Sequence, residues 1–306
     1  MHEGWTTAAL GPTVARDMRT IRLAFSPDAD DLFMFWPLLS GKIPVSDLSF
    51  VHERVETESL NARAEGDDPP DVCAVSMAHV PAISSRYLLL PHGASVGRAY
   101  GPVVVAKSKR TLASLAGARV AIPGARTTAH LVLQLLVLAE TGRSYEPVVI
   151  PITPFARVFE ALARDEVEAA LLIHEGRLTY RDDPSLHAVV EIGEAWHAAT
   201  GLPLPLGSNV IRRDLGDATI RSVSDACRRS IAWSLGNREE VIDAIVSSGV
   251  RAEANIERAR LDTYLSMYAN ADSASFAADV VRGIEVLVER GQRAGLLPAG
   301  RVELAP

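Results

Sequence analysis

A two-lobed α/β fold is predicted by three features of the chain. Its 306 residues, 48% of them hydrophobic, exceed the usual size of one compact domain and can bury a substantial core. Short β-like runs alternate with amphipathic segments, the rhythm of βαβ units with parallel strands. The alternation occurs in two successive series, the second opening at "GPVVVAKS".

The first series starts near residue 20 with the apolar run "IRLAFS". The helical "DDLFMFWPLLSGK", strand-like "LSFVHERV", helical "ETESLNARAEG", apolar "DVCAVS" and amphipathic "MAHVPAISSRYLLL" follow in order. After "GPVVVAKS" the second series continues with helix "TLASLAG", strand "RVAIPG", helix "TTAHLVLQLLVLAETG", strand "EPVVIPI", helix "FARVFEALARDE" and strand "AALLIHE". "AVVEIGEAWHAATG" comes next. In "LPLPLGSNVIRRDL" two prolines force extended backbone on the residues before them, which suits a crossing between lobes. Beyond about residue 217, "TIRSVSDACRRSIAWSLGN", "REEVIDAIVSSG", "ANIERARLDTYLSMYAN" and "ASFAADVVRGIEVLVERGQRAG" carry apolar residues at spacings of three and four, as helices packed back on the first lobe would. Residues 19–101 and 205–306 are thus expected to form a first, discontinuous lobe, residues 102–204 a second, and residues 1–18 a flexible extension.

Composition narrows the partners. A formal net charge of −7 and the lack of any Lys/Arg-rich block offer nothing to a phosphate backbone, so nucleic acid is not an expected partner. Cys73 and Cys227 are far apart and form no CxxC pair, which points to neither a disulfide framework nor a thiolate zinc site and fits a reducing cytoplasm. The first segment has no basic stretch followed by an unbroken apolar run, so no secretory signal is read there. "AHLVLQLLVLAE" is much shorter than the ~20 residues a spanning helix needs, and no membrane insertion is expected. No repeat period is visible, and "AEGDDPPD" reads as a surface loop.

In open α/β sheets ligands bind beyond the carboxyl ends of the strands. Four such points carry polar residues: "SPDADD" after "LAF", "SMAH" after "CAV", "PGARTTA" after "VAI" and "HEG" after "LLI". Thr127 or Thr128 can cap the helix that follows, leaving backbone N–H groups beside a hydroxyl; this is either an ordinary N-cap or a site for a polar oxygen. Ser76 has the same two readings. His174 can be a polar residue closing a strand or a general base, since imidazole titrates near neutrality. It makes no metal pair with Glu175, because neighbours in a strand point to opposite faces, and no other histidine gives an HxxxH or HExxH spacing. No metal is expected. GxGxxG and GxxxxGK[ST] are missing, so dinucleotide and nucleotide chemistry lose their usual support. A small molecule bound between two lobes remains. The tryptophans read as packing residues, with Trp36 alone near the "SPDADD" loop.

"IHEGRLTY" followed by "TGLPLPLG", with "VAIPGARTTA" upstream, resembles the 1,4-dihydroxy-6-naphthoate synthase family of the futalosine route to menaquinone. The likeness runs from about Ile21 to the C-terminal helices. It implies a two-lobed type II periplasmic-binding-protein-like fold, with the cleft between lobes used by a cytoplasmic, cofactor-independent lyase. The implied reaction is carbon–carbon cleavage of cyclic de-hypoxanthine futalosine. By the same likeness His174 is the proton acceptor, Thr127 and Thr128 are a substrate-binding pair, and Ala74, Val75 and Ser76 fall within a second substrate-binding stretch.

Two loops depart from the family's pattern. Where this chain has "SPDADDLF" its members usually read Ser-Pro-Cys-Pro-Asn-Asp-Thr-Phe, and they usually place lysine where Ala74 stands. If Ser26, Asp28, Asp30 and Asp31 line the cleft, the departures amount to a swing of roughly three charge units at neutral pH. The acids can equally cap the following helix. Two further readings therefore stand beside the lyase: a paralogue taking a less anionic small molecule, and a non-catalytic binding protein.

Overall fold

The structure, a computed structural model, describes residues 6–7, 18–152, 154, 156–249 and 257–306. Its strands are β1 (Thr6–Thr7), β2 (Arg19–Phe25), β3 (Leu48–Arg54), β4 (Val72–Ser76), β5 (Tyr87–Leu89), β6 (Ser95–Gly97), β7 (Val103–Ala106), β8 (Arg119–Ile122), β9 (Glu146–Val149), β10 (Ala169–Leu172), β11 (His187–Glu191) and β12 (Leu204–Arg212). The first sheet runs β1-β3-β2-β4-β12-β5, with β6 also paired to β12, and the second runs β11-β7-β10-β8-β9. Every residue of β4, β7 and β10 is buried, as expected for interior strands covered on both faces.

The helices are α1 (Ala29–Leu39), α2 (Thr57–Glu65), α3 (Val80–Ile83), α4 (Thr128–Thr141), α5 (Ala156–Ala163), α6 (Gly176–Thr179), α7 (Ile192–Thr200), α8 (Asp217–Gly236), α9 (Arg238–Ser247), α10 (Arg258–Tyr268), α11 (Ala271–Ala274) and α12 (Ala278–Arg293). Thr127 caps α4 by accepting from His130 N, and Gly142 ends it in left-handed backbone at φ 68°. No helix of the described residues is long and apolar enough to cross a membrane.

Four details differ from the sequence reading. The sheets are mixed: β3-β2-β4 and β10-β8-β9 are parallel, whereas β12 runs antiparallel to β4, β5 and β6, and β7 runs antiparallel to β10 and β11. "MAHVPAISSRYLLL" splits into a 3₁₀ turn at Met77–His79, the short α3 with proline in its first turn, and β5, whose residues bond to β12. "TLASLAG" makes a 3₁₀ turn, Leu112–Leu115, too short for an α-helix. "LPLPLG" is not a bare crossing, because Leu204 already pairs with β6. In the predicted extension, residues 1–5 and 8–17 lie outside the described residues, while Thr6 and Thr7 pair antiparallel with β3.

The helix that carries the first acidic loop has an internal proline and two outside repairs. Pro37 in α1 has no N–H to give to Phe33 O, so that carbonyl accepts from Ser234 Oγ of α8 at 2.6 Å. One turn away Ser230 Oγ accepts from Leu38 N and donates to Met34 O. α8 is thereby fixed along α1, and α9 and α10 close over the other side through Val241, Ile242, Leu261 and Leu265 packed with Ala29 and Phe33.

Candidate active site

The carboxyl end of β4 and the segments after β2, β8 and β10 deliver residues to one cavity of ≈ 100 Å³. Ser26, Asp30, Asp31, Ala74, Val75, Ser76, Thr127, Thr128 and His174 line it. Asp28 is not among the lining residues and stands behind the imidazole. A cavity this small sits below the roughly 300–1,000 Å³ of ordinary small-molecule sites.

β10 stops at Leu172, so His174 lies beyond the strand rather than within it, at φ 50° in left-handed backbone. The alternation argued from sequence for His174 and Glu175 therefore does not apply. Left-handed backbone is costly for a residue with a Cβ, and such strain collects at functional positions. The turn aims the imidazole at the opposite lobe. Its Nε2 lies 3.1 Å from Asp28 Oδ2 and 3.2 Å from Thr57 Oγ1, and its Nδ1 lies 3.4 Å from the Tyr264 hydroxyl. The ring keeps 17% of its side-chain surface open.

Four buried acids surround this ring: Asp28, Asp30, Asp31 and Glu175. Asp30 Oδ1 accepts from the Tyr264 hydroxyl at 3.1 Å, and its Oδ2 accepts from Ser95 Oγ. Asp31 Oδ2 accepts from Ser26 N at 2.8 Å; burial and the neighbouring Asp30 charge push its carboxyl up to about 7. Glu175 is raised above the usual carboxylate range by burial, and its Oε1 accepts from Ala29 N at the start of α1. Burial likewise holds the Tyr264 phenol well above its ordinary value, so it remains a donor. Asp28 occupies the N-cap position of α1 without a side-chain cap bond, and its Oδ2 lies beside the histidine. Among the described residues no group of three His, Cys, Asp or Glu is arranged to hold a metal ion.

The hydroxyls have protein partners of their own. Thr127 donates to Gly124 O and accepts from His130 N, which is the ordinary N-cap arrangement. Thr128 Oγ1 donates to Leu206 O at 2.6 Å and accepts from Ala78 N at 3.0 Å, joining α4 to β12 and to the turn after β4. Ser76 is gripped from both sides by the fully buried Asn61, whose Oδ1 accepts from Ser76 N while its Nδ2 donates to Ser76 Oγ. Arg126 reinforces the closed arrangement by pairing with Glu58 and Glu65 of α2. Arg177 does not touch His174; it donates to Gly101 O and Glu191, fixing the segment between the sheets.

Thr57, Asn61, Ser95 and Tyr264 were not singled out from the sequence. Thr57 opens a helix and Asn61 and Tyr264 sit inside helices, positions where polar residues usually face solvent or close a core. Trp36 packs against Trp233, with ring centroids 5.9 Å apart, and is not part of the cavity wall.

The chain from 21 to 293 matches the model of a family described as menaquinone biosynthesis. It is 39% identical over 254 residues to the 1,4-dihydroxy-6-naphthoate synthase of Thermus thermophilus, covering 82% of this chain and 88% of that one. The enzyme of the same name from Streptomyces coelicolor is 31% identical over 283 residues, 92% of this chain and 95% of its own. Among solved structures, a protein of Archaeoglobus fulgidus superposes with a TM-score of 0.82 at 36% identity, covering 92% of this chain and all 100% of the other. The alkanesulfonate-binding protein of Xanthomonas axonopodis shares the fold alone, with a TM-score of 0.66 at 19% identity over 93% of this chain and 96% of its own. Mixed sheets facing each other across a cavity thus have the two-lobed periplasmic-binding-protein-like architecture. The chain belongs to the menaquinone-biosynthesis family that includes the 1,4-dihydroxy-6-naphthoate synthases.

Proposed function

We propose that the chain is a lyase that opens cyclic de-hypoxanthine futalosine to 1,4-dihydroxy-6-naphthoate in the cytoplasm, with His174 as the general base and with no metal or cofactor. The observation that carries this reading is the imidazole at the rim of a cavity built from four strand ends. In the proposed sequence the base removes an acidic proton next to a carbonyl. A retro-aldol-like step then breaks the carbon–carbon bond and releases the sugar-derived fragment, and formation of the aromatic ring draws the reaction forward. A positioned base typically supplies about 10²–10⁴-fold. Ser76, Thr127 and Thr128, with the N-terminus of α4, supply hydroxyls and N–H groups for the substrate's polar oxygens once the sheets part. Val75 and Ala74 add apolar wall.

Incubating the purified protein with cyclic de-hypoxanthine futalosine should yield the naphthoate. His174→Ala should lower kcat on the order of 10²–10⁴-fold while the substrate still binds. Undiminished turnover by that variant would remove His174 from the mechanism, and binding without product by the native chain would favour the binding-protein reading.

The buried acids and the alanine at position 74 favour a second reading, a paralogue that takes a less anionic molecule. A carboxylated substrate feels each unit charge at 4 Å by about 4 kcal/mol at an effective dielectric near 20, before screening. Failure to turn over the futalosine derivative, together with His174-dependent turnover of an uncharged analogue, would select this alternative.

A further inference from the structure

The two sides of the His174 ring have different partners, and the bonds beyond them determine which nitrogen can take a proton. Tyr264 donates its hydroxyl proton to Asp30 Oδ1 at 3.1 Å. As a carboxylate, Asp30 can only accept, and it also accepts from Ser95 Oγ. The Tyr264 oxygen therefore offers a lone pair to Nδ1, 3.4 Å away, and the neutral ring carries its hydrogen there. Nε2 is left with the lone pair. That nitrogen faces Thr57 Oγ1 at 3.2 Å, a hydroxyl able to donate or accept, and Asp28 Oδ2 at 3.1 Å.

Resting on the proposed role of His174 as base, we infer that Nε2 is the accepting atom and that Asp28 is a positioning residue, the counter-charge to the imidazolium formed there. A carboxylate 3.1 Å from a ring nitrogen gains little while the ring is neutral and faces an opposite charge once the ring is an imidazolium. The interaction therefore grows as the proton arrives, and only interactions stronger in the transition state than in the ground state raise kcat. The other ionisable groups around the ring have separate engagements. Asp30 is held by Tyr264 and Ser95, Asp31 by Ser26 N, and Glu175 by Ala29 N. Asp28, 1% exposed and behind the cavity wall, meets the ring itself.

The test uses the full chain and cyclic de-hypoxanthine futalosine, with Asp28→Asn, Asp28→Glu and the smaller Asp28→Ser, each alone and combined with His174→Ala. Asp28→Asn preserves shape and removes the charge, so kcat should fall on the order of 10²-fold with KM within about threefold, an effect of the size expected for a group that supports a general base. Asp28→Ser should show the same selective loss, which covers the case of an asparagine variant that folds poorly, and Asp28→Glu should recover part of the rate. In the His174→Ala background, Asp28→Asn should change the residual rate less than about twofold, since its only route to the reaction is gone. Full kcat in Asp28→Asn and Asp28→Ser, or an equal loss with and without His174, would overturn the role of Asp28 while leaving the base assignment intact. A fully active His174→Ala would instead overturn the base assignment, and with it this inference.

Discussion

Ala74 and Asp30 set the charge of the cavity at the level of single residues. Both are wall residues, and both stand where the family resemblance leads to an expectation of lysine and asparagine. Asp30→Asn keeps an oxygen able to accept from Tyr264, and its Nδ2 can donate to a reoriented Ser95 hydroxyl in place of the bond that Asp30 Oδ2 accepts. Combined with Ala74→Lys, it should lower KM for a carboxylated substrate at least several-fold, most at low salt, because the added cation lies within a Debye length of any bound anion. Equal KM values in native and double variant would make these two positions structural. The residues found by reading strand ends were local to a motif, which is why Ser76, Thr127, Thr128 and His174 were legible. Thr57 and Tyr264 were not, because they meet the imidazole across 117 and 90 positions of chain, and no local pattern in either helix marks that meeting.

At the level of elements, α1 shows how support for a site is distributed. Pro37 leaves Phe33 O without its intrahelical donor, and a hydroxyl from α8 fills the gap. Ser234→Ala should leave that carbonyl buried and unsatisfied, at a cost of about 1–3 kcal/mol read from the urea midpoint. The substrate KM should rise with it, since α1 presents Asp30 and Asp31. A midpoint unchanged within error would mean that water or a shifted Ser230 replaces the bond. Periodicity made the long helices and interior strands readable, because their apolar spacing reports burial directly. It could not reveal that β12 would run antiparallel through the first sheet, since strand direction and neighbours follow from the return of the chain after α7 and not from the alternation of its own side chains.

For the whole molecule, the buried titratable groups pull stability in opposite directions with pH. Asp31, raised from 3.8 to about 7, keeps a proton in the fold that the unfolded chain gives up near pH 4. The native state binds more protons between those values, so this contribution is fully present below about pH 4 and is lost as pH rises through about 7. His92 and His130, lowered by burial from 6.5 to about 4, contribute above about pH 6.5 and lose that contribution as pH falls through about 4. Asp31→Asn should therefore raise Tm at pH 8 relative to the native chain and steepen the climb in stability from pH 4 to 6.5. Calorimetry across that range checks the sign; a difference between variant and native that does not vary with pH would mean Asp31 ionises like an ordinary surface aspartate. The two-lobed plan itself was readable from length and rhythm. The closeness of the lobes was not, because it depends on Thr128, Arg126 and Glu175 reaching groups that adjoin them only after folding.

The left-handed turn at His174 has a practical outcome for anyone seeking a hardier version of this protein. A glycine would occupy that backbone more comfortably than any residue with a Cβ. Screens that reward heat resistance alone will be drawn to position 174, and with His174 as the proposed base the molecules they enrich will be durable and inert.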